Sequence, residues 1–142
     1  MSLYLTNAAS LKTPGHRGPG VVWAAMAFPP GWLLRAGARR LSDGAATQDD
    51  LEAYYRREID EEEYFSRFRR LLDQRAVYDR LSPGRLGTGD RQVVNGDTLV
   101  CTCPRPDSPR RTHRCHLEEL APYLARSGWQ IVLYGETYKE ES

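Results

Sequence analysis

The feature that most constrains the fold lies in the last third of the chain. TLVCTC (Thr98–Cys103) is a β-rich apolar run ended by Pro104, and WQIVLYG (Trp129–Gly135) is a second strand-like run. Between them, CHLEELAPYLARSG carries Leu117, Leu120, Ala121 and Leu124 at helical spacing and stops at Gly128, a suitable residue just past a helix end. Strand, helix and strand in this order ask for a right-handed parallel crossover. Pro122 lacks the N–H that would bond the carbonyl four residues back, which predicts a kink or a helix starting only near Glu118.

The rest of the chain extends the same architecture. LYLTN (Leu3–Asn7) reads as a short strand, and AASLKTPGHRGPG after it as a loop. VVWAAMAF (Val21–Phe28) is a continuous apolar run, as expected of a strand buried on both faces of a parallel sheet, and Pro29-Pro30 halt it. GWLLRAGARRLSDGAA reads as a loop or short helix. Thr47 opens a short helix to Arg57 with acid three residues on. Asp60 is placed to cap a second helix whose first turn holds Glu61, Glu62 and Glu63, where the helix dipole favours anions. Tyr64, Phe65, Phe68, Leu71 and Leu72 give it one apolar face, and Arg67, Arg69 and Arg70 a solvated one. SPGRLGTGDRQVVNGD is turn chemistry throughout. The expectation is an α/β fold: a mostly parallel sheet flanked by helices, in a single compact domain over 1–136 with a charged, flexible tail over 137–142.

Composition limits the function classes. A chain of 142 residues with 40% hydrophobic side chains buries a core without staples. A net charge of +1 supplies no global field for nucleic acid. Lysine appears only at Lys12 and Lys139, so arginine supplies the other 18 of 20 basic residues. That bias reads either as base composition or as recognition of phosphate or carboxylate by the planar guanidinium. The opening MSLYLTNAAS has neither a basic head nor a long apolar run, and no window reaches the ~20 apolar residues of a membrane span. With an odd count of three cysteines, the expectation is a cytoplasmic chain with reduced thiols and no membrane partner.

Ligands of open α/β sheets sit beyond the carboxyl ends of the strands. Three loops should gather there, after Asn7, after Phe28 and after Cys103. They bring Asn7, Ser10, His16 and Arg17 from the first, Trp32 from the second, and Arg111 and Arg114 from the third. The third leads into Cys115-His116 at a helix start, where free backbone N–H groups favour an anion. On this reading Arg17, Arg111 and Arg114 hold the phosphate of a nucleotide-like or nucleic-acid ligand, and Asn7 and Ser10 orient the substrate. His116 serves as acid or base, with Cys115 as supporting thiol or nucleophile. The same stretch admits a metal: Cys101, Cys103, Cys115 and His116 count four ligands of types suited to zinc, with His113 a fifth, though Cys-x-Cys…Cys-His is not a usual zinc-finger spacing. A third reading is a partner-binding protein, such as a homo-oligomer, that uses the apolar FPPGWLL.

LYLTN, AFPPGW, IDEEEYFSRFRRLL and DTLVCTC…CHLEELAPYLARSGWQIVL together resemble the domain of unknown function 488 family, in its small bacterial and phage-borne subgroup. Members show an apolar strand ending in Cys-x-Glu, a short loop, Cys-His-Arg opening a helix, and a strand. Cys101 matches the first cysteine, and Cys115 and His116 the Cys-His pair. Cys103 stands at the family's Glu and Leu117 at its Arg, and the intervening loop is longer. The resemblance implies a compact α/β fold and, through similar Cys…Cys-His signatures, action on a nucleotide or an N-glycosidic bond. It makes Cys103 a candidate for the catalytic position or for a changed, metal-binding one.

Overall fold

The computed structural model describes residues 1–88, 90–103, 108–109 and 115–140. In chain order the elements are β1 (Ser2–Asn7), β2 (Val22–Ala24), α1 (Gly31–Arg35), β3 (Arg39–Arg40), α2 (Gln48–Tyr55) and α3 (Glu61–Val77). There follow β4 (Gly87–Thr88), β5 (Arg91–Gln92), β6 (Thr98–Cys101), α4 (His116–Arg126), β7 (Gln130–Leu133) and β8 (Glu136–Thr137). The main sheet has the order β3-β2-β6-β1-β7-β8, and every pairing in it is parallel except β7 with β8. The expected α/β architecture is therefore present. β6 and β7 flank β1, with α4 as the crossover between them.

The register explains why the strands read as almost unbroken apolar runs. Leu5 lies opposite Leu99, Leu99 opposite Trp23, and Leu3 opposite Ile131, so these side chains form a row on one face. That face packs under α3 and α4 through Tyr64, Phe65, Phe68, Leu72, Leu117, Leu120, Ala121 and Leu124. Alternate residues Val22, Ala24 and Val100 face the other way, onto Leu33 of α1 and Ala38. With both faces covered, alternation is lost, as parallel sheets require.

Local signals set the helix ends. The Thr47 hydroxyl accepts the Asp50 N–H at 3.2 Å, and Asp60 accepts the Glu63 N–H at 2.8 Å. α4 ends with Gly128 at φ 110°, and the Trp129 and Gly128 N–H groups bond back to Leu124 and Ala125 carbonyls, a Schellman arrangement.

Four expectations need correction. α4 does not begin near Glu118; it begins at His116 and runs through Pro122. Burial of four apolar side chains, about 1.5–3 kcal/mol for each leucine, outweighs the ~3 kcal/mol cost of an interior proline. The second strand stops at Ala24, although the Ala25 N–H still bonds Val100 O at 2.9 Å. β6 ends at Cys101, so Met26–Phe28 have no ladder to join and bend away. The arginine-rich segment Arg39–Arg40 adds an edge strand, and the turn-rich stretch contains the small β4–β5 hairpin. The chain also stays attached beyond 136: Thr137 pairs with Val132, the Tyr138 N–H bonds Ile131 O, and Glu140 meets Arg126 at 2.7 Å.

Candidate metal centre

Because β1, β2, β6 and β7 are parallel, their carboxyl ends share one edge of the sheet. Asn7 ends β1, Cys101 ends β6, Tyr134 follows β7, and Cys115 stands at the N-cap of α4 just before His116. Asn7 lies opposite Cys101 in register, on the face that α3 and α4 cover. An extended residue at the N-cap, φ −85° and ψ 137°, takes Cys115 out of the helical progression. It thus escapes the hundred-degree divergence that adjacent helical residues would have, and turns toward β6.

The three cysteine sulfurs consequently converge. Their Sγ atoms all lie within 4.8 Å of one another, and Cys101 and Cys115 approach to 3.2 Å. None is in a disulfide, and all are buried. Ligand sulfurs on a tetrahedral zinc stand about 3.8 Å apart, given a Zn–S distance of ~2.3 Å. The 3.2 Å approach and the 4.8 Å upper limit are of that order, so the three close cysteines form a set able to hold a metal.

His116 adjoins this group without joining it. Its Nδ1 lies 3.6 Å from Cys103 Sγ, and its Nε2 is hydrogen-bonded to the Tyr64 hydroxyl. The rings of Tyr64, Phe65 and Phe68 box it in at centroid distances of 5.4, 5.6 and 5.6 Å. On the far side, the Tyr134 hydroxyl lies 3.1 Å from Cys115 Sγ and 4.0 Å from Cys101 Sγ. Asn7 Nδ2 donates to Cys103 O at 3.0 Å, while its buried Oδ1 has no hydrogen-bond partner among the described residues.

The three thiols differ in acidity, and Cys115 is the most acidic. Hydrogen bonds from Cys101, then Cys103, hold the Cys115 thiol far below its ordinary range against the opposing effect of burial, with Tyr134 and the Leu117 backbone N–H assisting. Cys101 moves the other way through its bonds to Cys103 and Cys115 and its burial. For Cys103, the bond to Cys101 pulls down, but contact with Cys115 and burial prevail and push it up to about 12.

A cavity of about 290 Å³ opens beside the sulfurs. Cys101, Thr102, Cys103 and His116 form its polar end, and Met26, Phe28, Leu51, Tyr55 and Tyr64 contribute its walls. Phe28 and Tyr55 are exposed at its rim. Its lining is apolar with a few convergent polar groups.

The expected ligand residues divide. Cys103 and His116 line the cavity, and Asn7 supports Cys103 from behind. Ser10 and His16 are buried but do not line it; His16 Nδ1 bonds Thr6 Oγ1 at 2.9 Å, and its ring meets the edge of Tyr134. Arg17 and Trp32 are exposed and lie outside the lining. Arg111, Arg114 and His113 fall outside the described residues. Tyr64 and Tyr134 were not foreseen. Tyr64 reads from sequence as one of several apolar helix positions, while Tyr134 carries a legible signal, a hydroxyl at the carboxyl end of a parallel strand.

No helix among the described residues is long and apolar enough to cross a membrane. Comparison with protein-family models, with curated proteins and with solved structures finds no match to this chain.

Proposed function

We propose that this chain is a zinc-binding domain whose ion is held by Cys101, Cys103 and Cys115 and serves the adjacent small-molecule cavity. The convergence of the three sulfurs at the ligand-facing edge of a parallel sheet carries this reading. Thiolates select soft divalent ions, zinc foremost, and the buried free thiols suit a reducing compartment such as the cytoplasm. We read the chain as a divergent relative of the 488 family in which Cys103 replaces a carboxylate, exchanging an oxygen donor for the sulfur a softer ion prefers. When bound, zinc supplies Lewis acidity. Asn7 fixes the Cys103 backbone, Tyr134 hydrogen-bonds Cys115, and His116, steadied by Tyr64, stands ready to move a proton at the cavity's polar end.

Metal analysis of the protein purified without added chelator tests the reading. Wild type should carry stoichiometric zinc, and Cys101→Ser or Cys115→Ser should weaken retention by more than the ~10–100-fold typical of losing a supporting residue. A metal-free wild type that takes up no zinc on titration contradicts the reading.

A second reading, that the cavity takes a nucleotide-like ligand, draws on its aromatic walls Phe28, Tyr55 and Tyr64. Its phosphate would then fall to arginines such as Arg111 and Arg114. Titration with a nucleotide panel should show binding that His116→Ala and Arg114→Ala weaken. Unchanged affinity in both variants removes this ligand class.

A further inference from the structure

We infer that the zinc ion keeps its fourth coordination position for an exogenous donor, and that the cavity admits a small, largely apolar molecule ending in one soft lone-pair donor, an aromatic nitrogen or a sulfur. The inference rests on the zinc reading above and deepens it from a held ion to a working one.

Four observations carry it. Among the described residues three thiols converge, one short of the tetrahedral number, and zinc sites with three protein ligands and an open position are the reactive kind. Among the described residues His116 stands outside the three-sulfur group, its Nε2 engaged by Tyr64 and its ring within a box of three aromatic rings. The nearest phenol, Tyr134, is turned onto the sulfurs of Cys115 and Cys101. Asn7 Oδ1 is a buried acceptor with no hydrogen-bond partner among the described residues, on a residue in register with Cys101 and tied to Cys103. A water would complete the fourth position in the absence of a ligand.

The cavity describes what replaces the water. Cys101, Thr102, Cys103 and His116 line its polar part, and Met26, Phe28, Leu51 and Tyr55 much of the remainder. A ligand therefore enters with its donor atom toward the metal and its apolar body between the walls. Its lone pair displaces the bound water, and no carbon bond changes. The sulfur-rich ligand set favours a soft donor over a hard oxygen donor.

Cobalt(II)-substituted full-length protein reports the coordination through its visible absorption. Titration with pyrazole and with benzenethiol should change that spectrum saturably. Phe28→Ala should bind cobalt as wild type does but weaken both ligands about tenfold, the loss expected for one apolar wall. An absorption spectrum that forms normally, ignores both ligands and changes with His116→Ala or His113→Ala overturns the inference, because the fourth ligand is then a protein residue and the site is closed. Failure to form any cobalt–thiolate absorption removes the zinc reading itself, and the inference with it.

Discussion

Asp97 shows how much of this fold rests on single buried groups. Its carboxylate, 1% exposed, accepts the Val21 N–H at 2.8 Å, the Trp23 indole N–H at 2.9 Å and the Val94 N–H at 2.9 Å. It thereby ties the loop before β2 to the turn before β6, and so fixes where β6 delivers Cys101. Asp97→Ala strands three donors and should destabilise by about 3 kcal/mol or more, measured as a shift in urea midpoint, with Asp97→Asn costing less. Nothing in the NGD context marks this residue out, because an aspartate there equally serves a plain turn. The site residues differ in legibility for a similar reason. Cys101, Cys103, Cys115 and His116 are legible because their chemistry is rare and their places at strand and helix ends follow from local pattern. Tyr64 is not, since a hydroxyl aimed at His116 looks identical in sequence to an aromatic core position. His16, flanked by glycines, suggests ligand approach but packs on Gly135. That glycine sits at φ 83°, and a Cβ there would come 2.8 Å from the imidazole.

At the scale of elements, α3 is both the main lid of the core and a wall of the site. Its Asp60 cap closes one orphan donor, and Asp60→Ala should lower stability by about 1 kcal/mol in thermal unfolding. Phe68, fully buried and against the His116 ring, is a stronger probe: Phe68→Ala should cost about 3–5 kcal/mol and loosen the imidazole. The helices were legible to within a few residues because amphipathic period and capping act over one or two turns. The strand ends were not, because a strand lasts only as long as its neighbour. Val21–Phe28 has the propensity for a longer strand than it forms, and the early end of β6 shortens it. The edge strands β3 and β8 carry charged, unpatterned residues and exist through pairing alone.

For the whole molecule, the order β3-β2-β6-β1-β7-β8 brings together an edge built from residues as distant as Asn7 and Tyr134. A parallel sheet was legible from the strand–helix–strand unit and the unbroken apolar runs. The strand order was not, because it depends on long-range pairing that no local pattern encodes. An ion bridging β6 and the start of α4 ties distant parts of the chain, so its binding is coupled to folding. At free zinc a hundredfold above its dissociation constant, the native state gains ~2.7 kcal/mol, and a chelator should lower the calorimetric melting temperature by roughly 5–10 °C. An unchanged melting temperature in zinc and in chelator would count against that coupling. The most direct measurement is zinc K-edge X-ray absorption on the purified protein. The three-cysteine site predicts three sulfur neighbours at ~2.3 Å and one lighter atom. Bound zinc surrounded by nitrogen and oxygen alone would contradict it.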